Sequence, residues 1–305
     1  NGRVIVRKNG YYEEFYEYDA DNNVTRMAND RGELYDYQYN STGMLVMTTY
    51  CSYTNLDGER KYPQGVADPN SLIQKTLLTK TEYTYNRYGQ LLSTTSYDAA
   101  LLSNADNIIK SSYTYNTTAG SRLFGALLSE TDELDVETKY FYDDLGQLLA
   151  VINTSTKTGT CYTYDLLGNI TSVTPATWTS TGGYVATTNK GKIEYTYNDG
   201  NLLEELKTET TTYHFSYDVF GKQDSIGVGT QNNTIVQYVY NNYNGKLKEI
   251  HYANGFVVKY AYDELENISE VRYTTEGSQT STLAYTYAYD AYGQLYRFDN
   301  KLTGT

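Results

Sequence analysis

Two stretches decide the reading of this chain: Tyr140-Phe-Tyr-Asp-Asp-Leu-Gly-Gln-Leu148 and Tyr162-Thr-Tyr-Asp-Leu-Leu-Gly-Asn-Ile170. In each, two tyrosines at i and i+2 point to one face of a strand. Asp143 and Asp165 then open a turn, because a short carboxylate can bond its own backbone further on. Gly146 and Gly168 supply the positive φ that a hairpin with a bulge needs. Leu148 and Ile170 begin a return strand. Each stretch is therefore a β-hairpin with an aromatic face. A lone hairpin is marginal in water, so such units must pair side by side or stack.

Working outward, the pattern Tyr-x-Tyr-Asp/Asn occurs eleven times, with its Asp or Asn at Asp19, Asn40, Asn86, Asn116, Asp143, Asp165, Asn198, Asp218, Asn241, Asp263 and Asp290. The preceding residue is Tyr in all eleven: Tyr18, Tyr39, Tyr85, Tyr115, Tyr142, Tyr164, Tyr197, Tyr217, Tyr240, Tyr262 and Tyr289. Two residues earlier stands another Tyr in ten (Tyr16, Tyr37, Tyr83, Tyr113, Tyr140, Tyr162, Tyr195, Tyr238, Tyr260, Tyr287) and Phe215 in the other. Gly follows at the fourth turn position in Gly43, Gly89, Gly146, Gly168, Gly221 and Gly293. Asn22 replaces it in the first copy, and Asn tolerates the left-handed region. Gly200 stands one residue early, with Leu202 moving alongside, and Gly245 and Leu247 stand one late. Both shifts read as loops of variable length. Glu266 in place of Gly and Gln223 in place of Leu are departures, and the Asn116 copy is irregular.

The fold class expected is all-β, a single array of tandem antiparallel hairpins over residues 1–305, with copies from about 16 to 295. Insertions interrupt it near 51–80, 98–112 and 174–190. The first leaves room for a degenerate copy around Tyr50-Cys-Ser-Tyr53. It also contains Asp68-Pro69, which suits either a short helix start or a loop before a longer strand. The second is a candidate helical turn. The third is a Thr-rich loop around Trp178. Composition agrees: 305 residues hold 37 Tyr against 7 Phe and 1 Trp, with only 3 Pro. Amphipathic rings suit half-buried strands.

Charge and residue types exclude several functions. A net charge of −13 gives no basic footprint for nucleic acid. No apolar run approaches the length of a membrane-spanning helix. Cys51 and Cys161 allow one disulfide at most. The two histidines, His214 and His251, sit in strand-like runs with no nucleophile motif beside them. Asp19-Ala-Asp-Asn-Asn23 places oxygens at positions 1, 3 and 5 of a calcium loop but lacks the Gly and the bidentate Glu, so a plain turn is expected. No catalytic residue, cofactor or metal site is expected. Trp178 is the candidate glycan contact.

The motif Tyr-x-Tyr-Asp-x-x-Gly-x-Leu resembles the YD repeat of the Rhs/YD-repeat family. That family includes bacterial Rhs and wall-associated polymorphic toxins, the B and C components of insecticidal toxin complexes, and animal teneurins. The likeness extends over nearly the whole chain. It implies hairpins joined edge to edge into a spiralling sheet, part of a hollow β-shell. It implies a secreted or cell-surface, more often bacterial, protein whose partners are the rest of the shell and an enclosed C-terminal toxin or effector. The alternative it implies is an adhesion or carbohydrate-binding module that meets surface glycans. No Asp-Pro-x-Gly-Arg-Phe-like stretch of the family's self-cleaving core is found. Together with an end in mid-repeat, this makes the chain read as a piece of a larger array.

Overall fold

A computed structural model describes residues 5–9, 12–56, 62, 69–99, 108–179, 181–187, 190–229 and 233–302. They form 24 β-strands and one 3-10 turn, Pro69–Leu72. The protein is all-β, and every strand pairing described below is antiparallel.

Two compact units divide the chain. The first takes residues 1–159 and 176–185. It contains β1 (Val6–Asn9), β2 (Tyr12–Tyr18), β3 (Val24–Asn29), β4 (Glu33–Tyr39), β5 (Leu45–Asn55), β6 (Ile73–Tyr85), β7 (Leu91–Asp98), β8 (Ile108–Tyr115), β9 (Leu127–Thr131), β10 (Glu137–Tyr142) and β11 (Leu148–Asn153). Each pairs with its successor in the chain. After β12 (Thr158–Tyr164), β13 (Ile170–Trp178) and the three-residue β14 (Tyr184–Ala186), the second unit continues the same meander. Its strands are β15 (Ile193–Tyr197), β16 (Leu203–Lys207), β17 (Thr212–Tyr217), β18 (Gln223–Val228), β19 (Asn233–Tyr240), β20 (Leu247–Tyr252), β21 (Phe256–Tyr262), β22 (Ile268–Thr275), β23 (Thr282–Tyr289) and β24 (Leu295–Asn300). Here β13 pairs with β15, and each later strand with the next.

A meander puts alternate turns on opposite edges. Within each unit all the Tyr-x-Tyr-Asp/Asn turns therefore share one edge, and the connecting turns share the other. Each motif hairpin also carries one bulge. In β10–β11, Phe141 faces Ala150 while Tyr142 faces Leu148, so the return strand holds one extra residue beside the turn. The same shift precedes Tyr18, Tyr85, Tyr217 and Tyr262.

The two faces of the sheet differ. In the first unit the motif tyrosines are half-buried, on a row that runs Tyr16, Met27, Tyr35, Tyr50 across β2 to β5. Tyr35 and Tyr50 stack with ring centroids 4.7 Å apart. The opposite row, Phe15, Ala28, Leu34 and Cys51, is buried. Tyr62, from the insertion after β5, covers it, stacking on Phe15 at 6.0 Å and meeting Tyr53 edge-on. The aromatic face of the hairpin motif is thus not where the deepest burial of this unit lies. In the second unit Val258 and Val271 are buried on the tyrosine face itself, beside Phe256, Tyr273 and Tyr285.

Several sequence expectations are corrected. Tyr50 to Tyr53 is interior to the eleven-residue β5, so no degenerate turn forms there. The insertion contains both features weighed for it, a 3-10 turn at Pro69–Leu72 and then the thirteen-residue β6. Residues 108–112 belong to β8; the candidate helical turn falls largely on 100–107, outside the described residues. Thr174 to Trp178 is strand, not loop, and the chain reverses only after it, where Thr179 N–H donates to Gly183 O and Gly182 N–H to Thr179 O.

Candidate functional site

The repeated hairpin is the candidate site, and it is built from the turn outward. In the fifth copy Asp143 Oδ1 accepts the N–H groups of Leu145 and Gln147, at 2.9 and 2.8 Å. Gly146 N–H donates to Asp143 O, and Asp143 N–H to Gln147 O. Asp165, Asp218, Asp263 and Asp290 close their turns with the same four bonds. The Asn169 side-chain amide, helped by these backbone donors, holds the Asp165 carboxyl below its ordinary range. Both Asp19 oxygens are engaged likewise, by Asp21 N–H, Asn23 N–H and the Asn23 amide. Among the described residues no cluster of three His, Cys, Asp or Glu could hold a metal ion.

In nine of the eleven copies the fourth turn position takes a left-handed φ, and not only where Gly stands there. Asn22 lies at φ 73°, and Glu266 at 66°. In the Asn198 copy the position belongs to Asn201 at φ 62°, not to Gly200. Asn198 N–H still donates to Leu202 O, and Tyr197 still faces Leu203. The expected loop shortening is therefore absent: the glycine moved and the turn did not. Gly245 does come one residue late, with Asn241 N–H donating to Lys246 O. The irregular Asn116 copy inserts a longer loop between the same closing bonds, Gly125 N–H to Asn116 O and Asn116 N–H to Ala126 O. A further turn of this type, Asp132 to Val136, joins β9 to β10 without any tyrosine pair, with Asp135 at φ 58°.

The second tyrosine of the motif has a function that Phe could not perform. Between neighbouring hairpins the backbone ladder stops short of the turns: β3 and β4 are last paired at Arg26 and Asp36. The carbonyl of Val24 lies beyond that end, and Tyr39 O–H donates to it at 2.9 Å. The same bond recurs from Tyr85 to Leu45 O, Tyr197 to Ile170 O, Tyr217 to Leu203 O, Tyr240 to Gln223 O and Tyr262 to Leu247 O, at 2.8–3.0 Å. Each acceptor is the first residue of the preceding return strand, left without a strand partner on that side. A half-buried carbonyl needs a donor, and the phenol supplies one. In these six copies the bond gives the second motif position a reason to be Tyr, while the first tolerates Phe215. Turn tips are linked as well: Gln90 Nε2 donates to Gly125 O, and Lys222 Nζ to Gly245 O.

Two insertions supply covers for the face opposite the tyrosines. Tyr62 is held by charge as well as packing. Its hydroxyl donates to Glu17 and accepts from Arg26, and Arg26 in turn pairs with Asp36, which Lys75 also reaches at 3.0 Å. Burial opposes the charge on Asp36, yet the bonds from Arg26 and Lys75 leave its carboxyl below its ordinary value. Burial pushes the Tyr62 phenol up, and raises Tyr53 to about 12. Tyr53 O–H donates to Asn29 O at 2.6 Å. Around β10, Trp178 and Tyr184 lie 6.1 and 5.1 Å from Phe141, with Lys139 over the indole and Ile152 buried nearby in the same row. Trp178, the candidate glycan contact, is thus half-buried in an aromatic cover.

The remaining candidates are strand residues. His214 lies between the Glu205 carboxylate (3.1 Å) and Gly229 O (3.0 Å), and His251 beside Glu249. Cys51 and Cys161 are buried free thiols, each with its pKa pushed up by burial. No disulfide joins them.

The family model of the RHS Repeat matches residues 142–177. Residues 142–177 are thus similar to an RHS repeat. The matched segment runs from the second tyrosine of the fifth hairpin to within one residue of the end of the sixth, so it includes both the Asp143 and the Asp165 turns. Among solved structures, TcdB2-TccC3 without its hypervariable C-terminal region shares the fold, with a TM-score of 0.53 and 13% identity over 95% of this chain and 18% of that chain. The Photorhabdus luminescens Tc holotoxin pore overlaps at a TM-score of 0.42 and 12% identity, again over 95% and 18%. A porin-like protein from Bacteroides uniformis reaches only 0.20 at 13% identity, over 87% and 96%. The chain spans less than a fifth of the length of the TcdB2-TccC3 and Tc holotoxin chains it overlaps. No curated protein matches it.

Proposed function

We propose that this chain is a non-enzymatic wall segment of an RHS-repeat shell that encloses a C-terminal toxin or effector domain and helps deliver it. The observation that supports this most is the tyrosine latch. It recurs in six hairpins, where it ties the preceding return strand to the following copy and spends the motif's most constant side chain on joining neighbours rather than on a pocket. A chain built this way extends by adding copies and offers no convergent nucleophile and base. Its partners are further repeats of the same wall and the enclosed domain; it is secreted or displayed at the cell surface.

The test is limited proteolysis of the complete polypeptide that contains this chain. A domain outside the repeats that resists protease in the intact protein, and becomes digestible once the repeats are unfolded, supports containment. A domain digested at the same rate in both states, or the lack of any non-repeat domain, overturns it. Glycan binding by this chain that is lost in Trp178→Ala would favour the adhesion reading instead.

A further inference from the structure

The row of turn tips in the second unit is built to meet something. At the third position of six successive motif turns stand Leu167, Gly200, Phe220, Tyr243, Leu265 and Tyr292. In all six, the backbone N–H of that residue donates to the Oδ1 of the turn's Asp or Asn. The bond fixes the backbone so that the side chain projects away from the sheet. Five of the six side chains are large and apolar, with exposures from 64% at Leu265 to 100% at Tyr243. In the first unit the same position is held by Asp21, Thr42 and Thr118 as well as by Tyr88 and Leu145, so the turn itself does not require an apolar residue. The connecting turns on the other edge present Thr208, Glu209, Thr210, Glu276 and Ser278 instead. Exposed apolar side chains also occur at connecting turns, as at Leu134 and Tyr252, but in the second unit the regular row of them stands on the motif edge.

We propose that this edge is an association surface that seats against the same edge of a second copy of the chain. Three observations carry the choice of partner. The first is pitch: tips lie two strands apart, about 9.5 Å, so the row is a comb. A second comb of equal pitch, offset by half a step, fills every gap, whereas a globular partner would meet two or three teeth. The second is rigidity: Asn169 Nδ2 bonds Asn201 Oδ1, Lys222 bonds Gly245 O, and Lys246 pairs with Glu266 at 3.1 Å, which ties tip to tip along the row. The third is area: three rings at about 150–250 Å² each plus two leucines give roughly 600–800 Å² per side, the share each partner contributes to a standard interface. The same patch on both copies makes the contact self-complementary. Two copies of a chain carrying a net charge of −13 repel each other, so added salt strengthens this association.

The experiment is sedimentation equilibrium of the 305-residue chain at low and high salt, beside a variant with Leu167, Phe220, Tyr243, Leu265 and Tyr292 all replaced by Ser. The wild type is expected to associate, more tightly at high salt, and the variant to lose at least about a hundredfold in association constant with an unchanged circular dichroism spectrum. Phe220→Ser and Tyr292→Ser alone should each give an intermediate loss, and they decide the matter should the fivefold variant misfold. Tyr296→Lys on the open edge of β24 should leave association unchanged. The proposal is overturned by a monomeric wild type, by association that survives the tip changes, by association that Tyr296→Lys abolishes, or by tip-dependent flotation with phosphatidylcholine vesicles.

Discussion

Four residues before the Asp or Asn of each motif turn stands a side chain on the face opposite the tyrosines. In the first unit's opening copy it is Phe15, buried with Ala28, Leu34 and Cys51 beneath Tyr62. In the second unit the equivalent positions are Cys161, Glu194, His214, Gln237, Lys259 and Thr286; Cys161 is buried, while the later ones are polar and stand in rows such as Glu249, Lys259 and Arg272. The same hairpin therefore serves two kinds of sheet. Where an insertion lays an aromatic cover on the second face, that face becomes a core. Where none does, burial is shared between the faces, with Val258 and Val271 on the tyrosine side and Val257 on the other. The tyrosine latch is common to both, so the latch makes the strip and the covers tune it.

The comparison breaks most easily at Phe15. Phe15→Ala should cost about 3–5 kcal/mol, read as an earlier denaturant midpoint of Trp178 fluorescence, since the single tryptophan belongs to the first unit. An effect under about 1 kcal/mol would mean that the Tyr62 cover is not a core. Next is Asp36→Asn, expected to cost roughly 2–3 kcal/mol at neutral pH by removing the nearest carboxylate from Arg26, whose other ion pair, with Glu17, is long at 3.9 Å. The Asp36 carboxyl is held below its ordinary value, so it binds protons less readily folded than unfolded. Its stabilisation is complete above the ordinary value of 3.8 and is lost as pH falls from there through the depressed one. The gap between wild type and Asp36→Asn should accordingly close on acidification below about pH 4; a constant gap contradicts the ion-pair account.

Smaller effects sharpen the comparison. Tyr85→Phe in the first unit and Tyr217→Phe in the second each remove one latch, and each should cost about 0.5–1.5 kcal/mol. Hydrogen exchange should localise the loss to the return strand that accepts the bond, β5 or β16. Unequal costs would show that the latch is not a shared device. Smallest of all, Lys259→Met should stay within about 0.5 kcal/mol, because its contact with Glu249 is long at 3.7 Å and Glu249 keeps Lys248 and His251.

Much of this was legible from local chemistry. Tyr at i and i+2, Asp and a left-handed fourth residue specify the hairpin within nine residues, and even Asn22 and the late Gly245 follow from turn rules. The latch left one readable trace, a second tyrosine that never becomes Phe beside a first that does at Phe215. Its acceptors are backbone carbonyls, which carry no residue signature. Gly200 misled because glycine is the usual left-handed residue, yet Asn201 stands at the position the closing bonds require. The covers were the least legible part. Tyr62 meets Phe15 across 47 positions of chain, and no periodicity connects them. Trp178 continues a strand through Pro175, where Thr and Pro had pointed to a loop.

The most direct test of the wall account is an electron cryo-microscopy map of the complete polypeptide. The account predicts that these residues form a stretch of continuous hairpin wall, with Tyr39, Tyr85, Tyr217 and Tyr262 bonded to the preceding return strands, around density that belongs to a non-repeat domain. Repeats folded as a solid body, with no space enclosed and the tyrosine hydroxyls turned to solvent, would contradict it.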